Sequence, residues 1–242
     1  VVGTPSTGTN HLDLDYLFAR DIKVFCLLDD RESLDNIQAS AEFTWLHIMN
    51  AVRKFTLSVK HVDKWRAAET LLRSRELSGK KIGIIGFGRI GKKIAKYSEA
   101  FGLQVQYYDP YVQSEEYKSA HSIEQLKDCD IISINCYLTN ETKNLISDGI
   151  FNSFKRGLVV VNTSRGEVVN EEYIYQLVSK NLIFYSCDVL CDEQNLKKLK
   201  DSKLMKINPR ANNLVITPHV AGATIESQSK ALKAILKLCQ NV

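Results

Sequence analysis

Apolar residues recur along this chain in two rhythms. Short, nearly unbroken runs occupy Ile82–Ile85, Leu103–Tyr108, 130–135, 157–162, 183–188 and 213–217, each bounded by glycine, proline, aspartate or asparagine. Runs of that length and composition predict strands, with Ile82–Ile85 reading as a buried one. Between them lie stretches of helical spacing, at 92–101 (Ile94, Ala95, Ala100), 122–127, 147–154, 170–180 and 195–200. Six strands in strand–helix alternation predict an α/β fold, a doubly wound parallel sheet.

The segments outside that alternation predict a partial second domain. Val1–Gly3 reads as the end of a strand, 4–10 as a turn-rich loop, 12–20 as a short helix and 22–26 as a strand. That layer is too small to bury a core alone. Polar residues 29–38 lead into a helix over 39–54, with apolar spacing at Phe43, Leu46, Ile48 and Met49, and a second amphipathic stretch covers 57–73 with Trp65. A last helix is expected at 224–240. The boundaries predicted are therefore 1–42 for the partial domain, 43–217 for the sheet domain and 218–242 for a helix returning to the first.

The first sheet strand carries the most specific chemistry. Ile82–Ile85 ends in Gly86-Phe-Gly88-Arg89-Ile90-Gly91, a helix follows, and the next strand stops at Asp109, 23 residues after Gly86. Gly86 permits a tight turn, Gly88 lets backbone approach a pyrophosphate, and Gly91 allows the helix to pack close on the strand. The helix N-terminus offers its N–H groups to an anion. Asp109 would accept hydrogen bonds from an adenosine ribose and would repel a 2′-phosphate. The unit reads as a Rossmann-type dinucleotide site for NAD rather than NADP.

Composition narrows the setting. Lys and Arg number 32 against 28 Asp and Glu, for a net charge of +4 with both signs interspersed. The basic pairs Lys80-Lys81 and Lys197-Lys198 are short and have acids nearby, which argues for solvated surface and against a nucleic-acid partner. No run of about 18 apolar residues predicts a membrane span, and the opening Val-Val-Gly-Thr-Pro lacks the form of a signal peptide. Six cysteines without a C-x-x-C pair suggest free thiols in a reducing cytoplasm and no metal site.

Ligands of an open parallel sheet sit beyond the carboxyl ends of its strands. After the fourth predicted strand comes Asn162-Thr-Ser-Arg165-Gly166, after the fifth Asp188 with Asp192-Glu193, and after the sixth Thr217-Pro218-His219. A histidine titrates where a proton must be exchanged with a hydroxyl. A guanidinium suits an anionic substrate whose carbonyl gains negative charge on reduction, and a carboxylate beside the histidine favours the imidazolium. The set predicts hydride transfer on a 2-hydroxy acid.

The segments TGTNHLDLD (7–15), NIQASAE (36–42), GKKIGIIGFGRIG (79–91), YYDP (107–110), TKNLI (142–146), VVNTSRGEVVN (160–170), CDVLCDE (187–193) and TPHVAGAT (217–224) together resemble the D-isomer-specific 2-hydroxyacid dehydrogenases, most closely the D-3-phosphoglycerate dehydrogenase branch. The resemblance spans nearly the whole chain in family order. It implies His219 as acid/base, Glu193 as its partner in preference to Asp192, and Arg165 as substrate clamp. It also implies Asp188 as acceptor for the nicotinamide carboxamide, with Arg89, Ile90, Cys136, Thr163 and Gly222 as further NAD contacts. Asn36 falls near the substrate, and Ser6 and Thr7 on the loop that holds its carboxylate. The partial domain becomes a substrate domain, and the region of helix 39–54 and Trp65 a homodimer interface. His11, His47, His61 and His121 are expected to be structural or exposed, and Cys191 inert.

Departures accompany the match. Gln194 and Tyr137 stand where the family usually has proline, and Thr4-Pro5-Ser6 where relatives often carry Arg-Ala-Gly. The resemblance implies about 70 further residues ahead of Val1, completing a lobe too small here to bury a core. This chain is accordingly expected to bind NADH but to reduce 2-oxo acids poorly. Rivals are an NAD(H)-sensing binding protein of the corepressor type and a truncated, inactive relative. Formate dehydrogenase is disfavoured, because that branch does not pair its histidine with a glutamate.

Overall fold

The computed structural model describes residues 1–9, 11–66, 69–207 and 212–240. In chain order the elements are β1 (Val2–Gly3), α1 (Leu14–Phe18), β2 (Val24–Phe25), α2 (Arg31–Asp35), α3 (Ala39–Arg53), α4 (Phe55–Val59), α5 (Glu69–Leu72), β3 (Lys81–Ile85), α6 (Arg89–Ala100), β4 (Gln104–Tyr108) and β5 (Lys118–Ala120). Then follow β6 (Ile131–Ile134), β7 (Leu158–Asn162), α7 (Glu171–Ser179), β8 (Ile183–Cys187), α8 (Leu196–Asp201), β9 (Leu214–Ile216) and α9 (Ile225–Gln240). The chain divides into two compact units, 1–40 with 222–242, and 41–221.

The larger unit is a seven-stranded sheet of order β5-β4-β3-β6-β7-β8-β9, parallel throughout. Side chains alternate across it as the pleat requires. Ile82, Ile84, Ile131, Val159 and Val161 pack to one side with Ile48, Ala51 and Val52 of α3 and Ile94 and Ala95 of α6. Ile85, Ile132, Ile134, Leu158 and Val160 face the other with Ile174, Leu177 and Val178 of α7. Covering both faces is why these strands read as continuous apolar runs. The strand order reverses between β3 and β6, and at that switch point the loops leaving two neighbouring strands diverge to opposite faces.

The smaller unit pairs β1 with β2 in parallel and buries Leu27, Leu34 and Ile37 against Ala231, Ala234 and Ile235 of α9. Gly3 lies so close to that helix that a Cβ there would come within 2.3 Å of Ile235 Cγ2.

Several expectations change. The sheet has seven strands rather than six, because β5 (Lys-Ser-Ala) pairs only with β4 at the edge and carries no apolar run to betray it. The stretch 147–154 forms turns, not a helix, with Gly149 at φ 93 breaking the helical path. The helical stretch 122–127 contracts to a 3₁₀ turn at Ile123–Leu126. The amphipathic stretch 57–73 breaks into α4, a 3₁₀ turn at Val62–Lys64, and α5, with Lys54 and Arg66 at φ 52 and 59. Residues 67 and 68 of that stretch, and Asn10 of the 4–10 loop, lie outside the described residues. In the polar lead-in, Asp30 caps α2 by accepting from the Ser33 N–H. On α3 the buried stripe runs through Ala41, Thr44, His47, Ile48 and Ala51, and Leu46 is exposed. Two polar residues thus occupy core positions where Leu46 was expected.

Candidate active site

The glycine turn follows β3 at the switch point. Gly86 has φ 87, and a Cβ on it would meet Cys136 N at 2.7 Å, so the loops leaving β3 and β6 touch backbone to backbone. Gly91 lies in the first turn of α6, where a Cβ would come within 2.2 Å of Gly86 O. Gly88 is different: nothing lies within 4 Å of its would-be Cβ, and it stands at the N-cap of α6, which has no side-chain cap there. A strand therefore ends in a turn whose middle is open beside a helix N-terminus, the arrangement that admits a pyrophosphate.

Asp109, one residue beyond β4, is held by that same turn. Its Oδ2 accepts from the Phe87 N–H at 2.7 Å, and its Oδ1 from the N–H groups of Tyr111 and Val112 at 2.9 and 3.0 Å. The carboxylate is fixed in orientation at the outer end of the cradle.

After β7, Asn162 is fully buried and organises the next three residues. Its Oδ1 accepts from the Ser164 N–H and hydroxyl, and its Nδ2 donates to Arg165 O at 3.0 Å. Thr163 Oγ1 bonds Thr44 Oγ1 of α3 at 2.6 Å. Arg165 is half-buried with an extended backbone, and its guanidinium donates to Ser164 O at 2.7 Å. A Cβ on Gly166 would lie 2.1 Å from Leu190 C and 2.4 Å from Cys191 N. That close passage brings the loop carrying Arg165 against the loop carrying Glu193.

Glu193 Oε2 accepts from the Leu190 N–H at 3.1 Å, which aims Oε1 at His219 Nδ1, and the two groups form a short hydrogen bond. Its neighbour Asp192 points elsewhere, to Lys198 Nζ at 3.1 Å. The bond to Glu193 raises the His219 pKa above the ordinary 6.5, while partial burial and the Arg165 guanidinium pull it down. The side chains are 47% and 23% exposed for histidine and glutamate, so the ring is reachable from solvent. Because Nδ1 is committed to the carboxylate, Nε2 is the nitrogen left for a substrate.

Asp188, one residue beyond β8, is almost fully buried. Its Oδ1 accepts from the Thr217 hydroxyl at 2.5 Å and the Val220 N–H at 3.0 Å, and its Oδ2 from the Ala221 N–H at 2.7 Å. Its backbone carbonyl accepts from the His219 N–H at 2.8 Å. His219 sits in left-handed backbone, φ 54, which costs a non-glycine residue on the order of 1 kcal/mol. Asp188 thus grips the His219 turn from both sides.

The structure therefore brings Arg165, Glu193, His219 and Asp188 together on the carboxyl edge of the sheet. The expected substrate residues Ser6, Thr7 and Asn36, and Gly222, lie in the smaller unit. Ser6 Oγ donates to Gly8 O at 2.6 Å and bonds Thr4 Oγ1 at 3.0 Å, and Thr4 in turn bonds His11 Nε2 at 2.9 Å. Thr7 is half-buried. Asn36 is exposed and donates from Nδ2 to Glu32 O, and Gly222 O accepts from the Ser227 hydroxyl. The sequence assigns no role to Thr44, Ser186 or Thr217, and His47, expected there to be structural or exposed, is buried. The available signal was two polar residues, Thr44 and His47, three apart on the apolar stripe of one helix.

Thiol chemistry has no support at this edge. Burial, reinforced by Glu171, pushes Cys191 up to about 12, and burial pushes Cys136 up to about 11. Among the described residues no group of three or more His, Cys, Asp or Glu could hold a metal ion, and no helix is long and apolar enough to cross a membrane.

Comparison with known proteins points one way. The family model of the D-isomer specific 2-hydroxyacid dehydrogenase NAD binding domain matches residues 45–221. Hydroxypyruvate reductase of Thermotoga maritima is 29% identical over 235 residues, covering 95% of this chain and 73% of that protein. D-3-phosphoglycerate dehydrogenase 1 of Saccharomyces cerevisiae is 31% identical over 240 residues, 94% of this chain but 50% of that one. The solved structure of Aquifex aeolicus D-lactate dehydrogenase, complexed with NAD and lactic acid, superposes with a TM-score of 0.85 at 30% identity, over 99% of this chain and 75% of that chain. The chain thus spans about half to three quarters of the length of the relatives named. Three differently named proteins match about equally well, so the phosphoglycerate branch is not singled out.

Proposed function

The chain belongs to the D-isomer specific 2-hydroxyacid dehydrogenase family, and from that premise we propose that it is an NAD-dependent oxidoreductase interconverting a D-2-hydroxy acid and its 2-oxo acid. The substrate class proposed is D-3-phosphoglycerate or a similar small hydroxy acid. The observation that carries the reading is the His219–Glu193 pair beside Arg165, on the sheet edge reached from the glycine turn.

The residues fit a dinucleotide. Open space at Gly88 and the left-handed turn at Gly86 leave backbone N–H groups of 86–91, including Arg89 and Ile90, to take a pyrophosphate, and Asp109 stands ready for ribose hydroxyls. Cys136, Thr163, Asp188 and Gly222 are proposed as the remaining contacts. Bound there, the nicotinamide supplies or accepts the hydride. Arg165 holds the substrate carboxylate and polarises the carbonyl beside it. In reduction, His219 Nε2 gives its proton to the carbonyl oxygen, and in oxidation it takes one from the hydroxyl. Glu193 keeps Nδ1 protonated and the ring oriented throughout. Ser6, Thr7 and Asn36 are proposed as further substrate contacts on the resemblance alone.

Exposed Phe55, Val59, Val62 and Trp65 support a homodimer through that region. Six unpaired cysteines suit a reducing, cytoplasmic setting. The decisive measurement follows NADH absorbance with a panel of 2-oxo acids. Turnover is expected to be slow, and NADH binding with no turnover of any member, even slow, would overturn the enzymatic reading.

The cofactor preference is a separate expectation. A 2′-phosphate would face the Asp109 carboxylate, whose position is fixed by three backbone donors. NADH should bind at least about tenfold tighter than NADPH, about 1.4 kcal/mol, in a fluorescence titration of both. Equal affinities would remove Asp109 from that role.

A further inference from the structure

His47 is a buried titratable residue that the proposed chemistry does not use. It lies on α3, 3% exposed, with both ring nitrogens bonded. Nδ1 meets Ser186 Oγ of β8 at 2.8 Å, and Nε2 meets Thr217 Oγ1 at 3.1 Å. The proton order follows from the far end of the chain of bonds. Asp188 can only accept, so Thr217 must spend its hydroxyl hydrogen on Oδ1 and accept from His47 Nε2–H. Nδ1 of a neutral ring then accepts the Ser186 hydroxyl. Burial pushes the His47 pKa down, partly opposed by Asp188, which agrees with a neutral ring.

This chain ends on the His219 turn. Asp188 Oδ1 takes both the Thr217 hydroxyl and the Val220 N–H, and Oδ2 takes the Ala221 N–H. Residues 217, 220 and 221 flank His219, whose backbone is left-handed and therefore needs outside restraint. We propose that His47 is a positioning residue for the acid/base: through Thr217 and Asp188 it holds the His219 turn in the one conformation that keeps Nδ1 on Glu193 and Nε2 free. The proposal rests on the reading of His219 as acid/base, but the restraint itself is a property of the free protein.

Removing the chain lets the turn explore other conformations, so the His219–Glu193 bond is made only part of the time. The charged groups facing His219 are Glu193, Arg165 and Asp188, and none is altered by changing His47. His47→Leu keeps the volume and removes both bonds. His47→Gln can still donate to Thr217, and Thr217→Val cuts the same chain at its middle.

The experiment follows the His219 imidazole by NMR through a pH titration of the free protein, and kcat and NADH affinity beside it. In His47→Leu and Thr217→Val the His219 pKa should fall toward 6.5, and kcat should drop about 10- to 100-fold, the cost expected of a misplaced catalytic group. NADH affinity should stay within about twofold, and His47→Gln should recover most of both losses. In a His219→Gln background, His47→Leu should cause no further loss of kcat. An unchanged His219 pKa and kcat in folded His47→Leu or Thr217→Val would overturn the proposal, as would an equal loss of kcat in the His219→Gln background. If no 2-oxo acid is turned over, the enzymatic reading fails, while the NMR titration still decides whether His47 restrains the turn.

Discussion

His219→Gln is expected to lower kcat for 2-oxo acid reduction by about 10²–10⁴ and to leave NADH affinity nearly unchanged. Glutamine matches the side chain's reach but cannot carry a transferable proton at Nε2. Glu193→Gln is the sharper companion. Glu193 raises the His219 pKa chiefly by its hydrogen bond to Nδ1, and removing the charge lowers that pKa. Reduction consumes the imidazolium, so its rate holds below the His219 pKa and is lost as pH rises through it. The falling limb of the Glu193→Gln profile should therefore lie at lower pH than in the unaltered protein, and the oxidation limb should shift the same way. The same sign governs stability. A raised histidine pKa contributes stability that is fully present below 6.5 and fades as pH rises through the folded-state value. A pH–rate midpoint that does not move in Glu193→Gln would transfer the partner role to another carboxylate.

Gly166→Ala should be the most damaging small substitution near the site. The added methyl would lie 2.1 Å from Leu190 C, 2.3 Å from Leu190 O and 2.4 Å from Cys191 N. Those atoms are backbone, with no flexible side chain to swing aside, so one of the two loops must move. Overpacking of this kind costs about 1–3 kcal/mol and occasionally more. A loss of 3 kcal/mol lowers Tm by about 6–12 °C in a chain of this size. Because the displaced loops carry Arg165 and Glu193, activity should fall even at temperatures where the protein stays folded. Gly88→Ala is the control, with no atom within 4 Å of the new methyl. It should leave Tm within a few degrees while weakening NADH binding, since the methyl occupies the space proposed for the pyrophosphate. A Gly166→Ala protein with unaltered Tm and kcat would mean that the loops are not in contact as described.

Local patterns made much of the sheet domain legible. Two-sided burial produces the continuous apolar runs of β3, β6, β7 and β8, while β4 and β9 are only partly buried, and all six could be read to within a residue or two. The glycine turn was legible because only glycine tolerates φ 87 at 86 and a 2.2 Å approach at 91. Elements held by pairing or contact rather than by their own pattern were not legible. The edge strand β5 has three residues and no apolar alternation, and the 147–154 turns carry a helix-like spacing that Gly149 interrupts.

At the site the division is the same. The amino-acid sequence by itself determined that an arginine, acids and a histidine follow consecutive strands, because a parallel sheet delivers every strand's carboxyl end to one edge. It left Glu193 distinguished from Asp192 only by an offset. Tertiary structure decided that point, since the Leu190 N–H turns Glu193 toward His219 while Asp192, at φ 54, is carried to Lys198. It alone decided that His47 would meet Ser186 and Thr217, 139 and 170 residues away. Hydrogen bonds across such separations exist only once α3 has packed on the sheet, and the local sequence carries no trace of them beyond a polar residue on an apolar stripe.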